Sequence, residues 1–360
     1  MSATRGDPAL QALLLPFSDG DLAWPAGEVL FLRARAGAPL SGLPAPVMTC
    51  VQGFKPEADA LEGAGFQVHA TLDALGEGDA HWPLVLVLPP RQRDEARALF
   101  AEALARVRPG GVVVAAMAND AGARSGEADF TRLFGRVASR SKFKCRVFWG
   151  HGPGDAVLGR QWRALDAPRP VVGGRFTSRP GVFAWDRVDP ASALLAEHLP
   201  DDLRGRAADL GAGYGYLSAA LLERCPGIAS LDVYEAEARA LALARVNLAP
   251  FASRVALDFQ WHDVAAGLPA RYDTIVSNPP FHAQTRDARP DIGCAFIAAA
   301  AAALEPGGRL WLVANRHLPY ESVLDASFGR VRLVAQRDGF KVIEAVRMGG
   351  ADPGRRGGRR

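Results

Sequence analysis

An apolar run ending in two prolines occurs twice in this chain, as Leu84-Val85-Leu86-Val87-Leu88-Pro89-Pro90 and as Thr274-Ile275-Val276-Ser277-Asn278-Pro279-Pro280. Each is followed by a helical stretch and then by Pro-Gly-Gly and another apolar run. These are Arg108-Pro109-Gly110-Gly111-Val112-Val113-Val114 in the first case and Glu305-Pro306-Gly307-Gly308-Arg309-Leu310-Trp311 in the second. Phe134-Gly135-Arg136-Val137 pairs in the same order with Phe328-Gly329-Arg330-Val331. Several matches in one order point to a duplicated domain, in which one copy can lose chemistry and keep its core. With 360 residues, 49% of them hydrophobic, the chain is long enough to bury two cores.

Short apolar runs at 29–32, 47–51, 84–88 and 112–117 alternate with Ala- and Leu-rich helical patterns, which predicts a parallel sheet. The second half repeats this with strands at 207–210, 230–234, 255–259, 272–277 and 310–314 and helices at 216–223 and 236–248. Its last two runs, 331–337 and 340–348, flank Asp338-Gly339, a strong hairpin signal because both residues tolerate positive φ. The expected architecture is α/β, with two tandem Rossmann-like domains, each a mostly parallel sheet closed by an antiparallel hairpin. Asp166-Ala167-Pro168-Arg169-Pro170 and Gly173-Gly174 suit a connector. They divide the chain into a first domain (1–165), a linker (166–175), a second domain (176–349) and a basic tail (350–360) containing Arg355, Arg356, Arg359 and Arg360.

Asp209-Leu210-Gly211-Ala212-Gly213-Tyr214-Gly215 lies where a strand passes into a helix, and its glycines allow a tight turn and close approach of a ligand to the backbone. Taken alone, such a loop also fits a dinucleotide site or an ordinary turn. Asp209 would repel a pyrophosphate but would orient loop amides and attract an ammonium, which favours S-adenosylmethionine. Glu235 follows the next strand at roughly the 20-residue spacing that lets an acid reach ribose hydroxyls, where it would accept two hydrogen bonds. Asp263, followed by Val264, is placed to accept from an adenine amino group.

Asn278-Pro279-Pro280-Phe281 follows an apolar strand and so falls at the carboxyl end of the sheet, where open α/β folds bind ligands. A planar amino nitrogen is a poor nucleophile because its lone pair is delocalised. If the Asn278 side-chain oxygen and the Pro279 carbonyl each accept one amino hydrogen, that lone pair is released toward a methyl donor. The prolines hold the acceptors rigid, so catalysis comes from positioning and oriented dipoles, with no metal required. Phe281 supplies a flat face for a base. His282 is read as pocket lining and Cys294 as core. The first copy carries Leu88 where the second has Asn278, and no glycine-rich loop precedes it, so one active site per chain is expected.

At this level the acceptor stays open between a guanine amino group, an adenine N6 and a glutamine amide of a protein. The second half resembles the bacterial ribosomal RNA guanine-N2 methyltransferases that contain a degenerate and an active copy of one fold. Gly181-Val182-Phe183 with Asp189 and Ser192 carries the resemblance, with the 209–215 and 277–282 segments, Val313-Ala314-Asn315, Leu318-Pro319-Tyr320 and Phe340-Lys341-Val342. It implies N2-methylation of guanosine in ribosomal RNA, favouring the small subunit, with Asn278, Pro279 and Phe281 lining the base pocket and the first domain assisting RNA binding.

Arg132, Arg136, Arg140, Lys142, Lys144 and Arg146, with Phe143 among them, form a run without an intervening acid that is expected to neutralise RNA phosphates. The net charge is only +3, so any attraction to RNA must come from such local clusters. Cys50, Cys145, Cys225 and Cys294 have neither zinc nor disulfide spacing, and no export signal or roughly 20-residue apolar span is present. A monomeric cytoplasmic protein acting on ribosomal RNA or a ribosomal subunit, away from membranes, is the expectation.

Overall fold

The computed structural model describes residues 7–41, 48–76, 81–280 and 290–348. Phe281, His282, residues 283–289 and the basic tail lie outside these described residues. The chain divides into two compact units, Met1–Arg169 with Arg179–Val182, and Pro170–Ser178 with Phe183–Arg360.

The first unit holds β1 (Val29–Leu32), β2 (Met48–Val51), β3 (Gln67–His69), β4 (Trp82–Val87), β5 (Val107–Ala118), β6 (Val137–Lys142) and β7 (Cys145–His151). They form one sheet in the order β3-β2-β1-β4-β5-β7-β6. The first five strands run parallel, and β7 and β6 close the edge antiparallel. β1 and β2 are buried along their whole length, as strands covered on both faces must be, which is why they read as unbroken apolar runs.

A two-stranded ribbon follows, β8 (Arg169–Val171) and β9 (Phe176–Ser178). The 166–175 stretch, within which the boundary between the two units falls, carries the first strand of this ribbon. Val172, Gly173 and Gly174 all adopt positive φ, so the glycines serve a tight turn between two strands.

The second unit contains β10 (Arg204–Leu210), β11 (Gly227–Glu235), β12 (Ala256–Trp261), β13 (Tyr272–Ser277), β14 (Leu304–Asn315), β15 (Arg330–Arg337) and β16 (Phe340–Val346). Their order, β12-β11-β10-β13-β14-β16-β15, repeats the first sheet strand for strand. The correspondence extends to detail. The register between β4 and β5 shifts between Trp82 and Leu84, and that between β13 and β14 shifts between Tyr272 and Thr274. Asn278 and Leu88 are thus the first residues after equivalent central strands.

The closing hairpins differ. Asp338 (φ 52°) and Gly339 (φ 84°) turn β15 into β16 as a primed turn requires. The matching turn in the first unit is made by Phe143 (φ 55°) and Lys144 (φ 58°), which nothing in their residue types signals. Within the second unit, one set of polar groups is paired across β10, β11 and β13. Arg206 donates to Asp232 at 2.7 Å, Tyr272 Oη donates to the same carboxylate at 2.7 Å, and the Tyr234 and Tyr272 hydroxyls lie 2.6 Å apart. Among the described residues no helix is long and apolar enough to cross a membrane.

Candidate active site

The glycine loop leaves β10 and enters the helix Tyr216–Arg224. The Gly211 and Ala212 amides both donate to the Tyr234 carbonyl, at 2.9 and 3.1 Å, which ties the loop to the end of β11. Gly213 has φ 58°, and a Cβ built there meets nothing within 4 Å, so bare backbone faces open space. Gly215 (φ 92°) serves packing instead, because a Cβ there would press within 3.3 Å of Ala244. Gly211, Gly213, Phe183, Asp189, Ser192 and Asn278 line one pocket.

The acids expected around the cofactor are placed differently from the simple expectation. Asp209 does not line the pocket. It is fully buried beneath the loop, where its Oδ2 accepts from Ser218 Oγ at 2.7 Å. Its Oδ1 has no hydrogen-bond partner among the described residues. Burial, with the charge of Glu235 adding to it, pushes this carboxyl up to about 7. Glu235 organises the loop: its Oε2 accepts from the Gly213 amide at 2.7 Å and its Oε1 from the Glu237 amide at 2.8 Å. Asp263 caps a short turn, accepting from the Ala265 amide at 2.9 Å, and Val264 is buried in the hydrophobic core. Short acidic side chains next to unpaired amides take those amides first, which spacing alone does not reveal.

Asn278 is gripped from the helix Pro190–His198. Its Nδ2 donates to Asp189 Oδ2 at 3.0 Å and to Ser192 Oγ at 2.9 Å. Asp189 is also the N-cap of that helix, accepting from the Ser192 amide at 2.9 Å. Sequence reasoning had these two residues only as part of a resemblance and gave them no place in the site. The available signal was Asp-Pro at a helix start, which reads as a cap and nothing more. Phe183, 60% exposed, adds an aromatic wall that was likewise not anticipated. Cys294 is partly buried and packs against the core.

The first unit lacks these features at its equivalent loop. Since Leu32 pairs with Val87 as Leu210 pairs with Ser277, Arg33 and Arg35 stand where the second unit has Gly211 and Gly213. Gln52 stands in the place of Glu235 and accepts from the Phe54 amide at 2.9 Å as Glu235 accepts from Glu237. The run of six cations in this unit is not one unpaired face. Arg140 is bound to Asp21 and lies near Asp19, Arg146 is bound to Glu127, and Arg132 lies over the Trp162 ring. Acids from distant parts of the chain neutralise what looked continuous in sequence. Arg136, Lys142 and Lys144 remain, the two lysines flanking the exposed Phe143 ring in sequence at the hairpin. Among the described residues no cluster of three or more His, Cys, Asp or Glu is placed to hold a metal ion.

Residues 173–344 match the family described as Methyltransferase small domain. The ribosomal RNA small subunit methyltransferase C of Erwinia tasmaniensis is 30% identical over 305 residues, covering 79% of this chain and 81% of that protein. The protein of the same name from Escherichia coli K12 is 30% identical over 79% of this chain and 80% of its own length. Among solved structures, the T. thermophilus 16S rRNA N2 G1207 methyltransferase in complex with AdoMet and guanosine superposes with a TM-score of 0.75. That match is 27% identical and covers 96% of this chain and 93% of that one. With the duplicated sheet, the glycine loop and the anchored Asn278 in place, the chain belongs to the ribosomal RNA small subunit methyltransferase C family.

Proposed function

We propose that this chain transfers the methyl group of S-adenosylmethionine to the exocyclic N2 amino group of a guanine in small-subunit ribosomal RNA, in the cytoplasm, with one active site per chain. The observation that carries this reading is the fixed Asn278 amide. Because both its acceptors bind Nδ2, Oδ1 is turned to the opposite side, as an acceptor held in one orientation. A relative solved with AdoMet and guanosine supports the choice of guanine over adenine or a glutamine amide.

The pocket residues fit the cofactor. Gly213 offers backbone with no side chain in the way. Glu235 keeps lone pairs beyond those that bind the Gly213 and Glu237 amides. When bound, S-adenosylmethionine supplies an electrophilic methyl group. Asn278 Oδ1 and the Pro279 carbonyl each accept a hydrogen bond from one amino hydrogen of the base and so direct its lone pair. The amino proton leaves to solvent after transfer, so no strong base is required.

The test is transfer of labelled methyl from S-adenosylmethionine to isolated small ribosomal subunits and to their deproteinised RNA, followed by nucleoside digestion. N2-methylguanosine is expected to carry the label. Label in N6-methyladenosine or in protein would overturn the assignment.

The first unit is proposed to assist RNA binding through the hairpin tip rather than through all six cations. The double substitution Lys142→Ala/Lys144→Ala is expected to lower the salt slope of RNA affinity by about 2, close to one per lost phosphate contact. Filter binding across a range of salt concentrations checks this. The same double change at the paired Arg140 and Arg146 should lower the slope less.

A further inference from the structure

The two copies of the fold provide an internal control on the residues around Asn278. The first described helix of the first unit is entered through Asp7-Pro8-Ala9-Leu10, and the equivalent helix of the second through Asp189-Pro190-Ala191-Ser192. Both aspartates are N-caps with proline in the first turn. The helix Pro8–Leu13 packs on β5 and β7, and the helix Pro190–His198 packs on their counterparts β14 and β16. Asp7 therefore corresponds to Asp189, Leu10 to Ser192 and Leu88 to Asn278.

In the copy without the Asn-Pro-Pro motif, the cap is kept while both other polar groups are gone. Asp7 Oδ1 still accepts from the Ala9 and Leu10 amides, at 2.9 and 3.2 Å. Leu10 and Leu88 are buried in the apolar core. Capping and helix packing thus account for the aspartate but not for the serine, since leucine serves equally well at that place. The Ser192 hydroxyl and the Asn278 amide are present together in one copy and absent together in the other.

The other side chain of the pair also changes partner. Asp7 Oδ2 takes the Arg35 guanidinium at 2.9 Å, from the position equivalent to Gly213. In the second unit, Asp189 Oδ2 instead takes the Asn278 amide.

From these contacts we infer that Asp189 and Ser192 are positioning residues for methyl transfer, locking the Asn278 amide in the orientation that presents Oδ1 to the amino group of the base. An asparagine amide has two nearly isosteric orientations, and only one offers an acceptor to a donor. A carboxylate accepts and cannot donate, so Asp189 tolerates Nδ2 against it and repels Oδ1. Ser192 supplies the second acceptor and fills the hydrogen-bonding capacity of Nδ2 on that side. Neither residue needs to touch the base, and the selection is made before substrate arrives, as preorganised catalysis requires. This inference rests on the proposed role of Asn278 as acceptor.

The experiment compares Ser192→Ala, Asp189→Ala, Asp189→Asn and Asn278→Ala in the full-length protein. Turnover is measured on small subunits and S-adenosylmethionine affinity by calorimetry. Ser192→Ala and Asp189→Ala are each expected to lower kcat about 10-fold, the size of a lost hydrogen bond at a reacting centre, with the cofactor Kd changed less than about two-fold. Asp189→Asn keeps a good N-cap but adds an amide donor that tolerates Oδ1, so it is expected to keep the stability of the helix start while losing kcat nearly as alanine does. A purely structural role would lower thermal stability in Ser192→Ala without separating kcat from cofactor affinity. If Asn278→Ala has lost turnover while the Ser192 and Asp189 alanine variants keep wild-type kcat, the lock is wrong and the acceptor role stands. Loss of cofactor affinity in proportion to kcat assigns the two residues to cofactor binding and overturns the lock. If Asn278→Ala itself turns over normally, the acceptor reading fails first.

Discussion

Asn278→Ala is expected to lower kcat by about 10³-fold, the effect of removing a preorganised polar group aimed at the reacting atoms, while S-adenosylmethionine affinity changes only a few-fold. The reason lies in what the amide does at each stage. The free amino group of a base holds its lone pair in conjugation, and attack on a methyl group requires that conjugation to be broken. An acceptor oriented in advance stabilises the amino hydrogens most strongly as positive charge builds on the nitrogen, so the interaction belongs to the transition state more than to the bound complex. Alanine removes that acceptor and leaves the rigid Pro279-Pro280 backbone in place. Asp189 and Ser192 lose one partner, but both lie where solvent or the pocket reaches them. Single-turnover methylation of small subunits, with calorimetric titration of the cofactor, separates the two quantities. Retained turnover would remove Asn278 from the mechanism.

The second large effect concerns pH. Between about pH 5 and about pH 8 the unliganded protein is expected to lose stability, and Asp209→Asn is expected to flatten most of that decline. The Asp209 carboxyl is fully buried with a single partner, Ser218, and burial holds it up to about 7. An unfolded aspartate titrates near about 3.9. Between those values the folded chain keeps a proton that the unfolded chain has already released. The stabilisation is fully present below the unfolded value and is lost as pH rises through the folded one. At about 1.4 kcal/mol per pH unit the upper limit over the whole shift is about 4 kcal/mol, of which about 3 kcal/mol falls above pH 5, large beside the 5–15 kcal/mol typical of a domain.

Glu235, raised by burial against the pull of the amides it accepts, slopes the same way. Against the cost of burial, Arg93 and Arg97 hold Asp129 low, and Arg309 and Arg332 hold Glu344 low. Those two groups slope oppositely, but below the ordinary carboxylate range and outside this window. Urea unfolding of both proteins at the two ends of the range decides the matter, and a wild-type stability that rises with pH would falsify the assignment of Asp209 as a buried, protonated acid.

Much of the architecture was legible from residue order. The repeated proline-ended runs announced two copies of one sheet, and the topologies agree strand for strand. Central strands were readable because burial on both faces demands unbroken apolar runs, and the Asp338-Gly339 turn because few residue types accept its backbone angles. The turn at Phe143 and Lys144 was not readable. Side chains that rarely adopt positive φ are held there by the strand pairing on either side.

Composition and order along the chain determined the kind of chemistry: a glycine loop for a ligand close to backbone, and Asn278 before two prolines for a planar amino nitrogen. They also showed that the first copy lacks the Asn-Pro-Pro motif, with Leu88 at the place of Asn278. What the fold alone decided is which groups those residues meet. Asp209 turned inward to Ser218, Glu235 was taken by loop amides, and Arg140 and Arg146 found acids far away in sequence. Asn278 acquired its orientation from Asp189 and Ser192, on a helix that precedes it by the whole first part of the sheet. Backbone conformation and hydrophobic periodicity are local properties and can be read from neighbours in the chain. Hydrogen bonds and ion pairs between side chains depend on distances of about 3 Å across the fold, and those exist only once the sheet has brought the strand ends together.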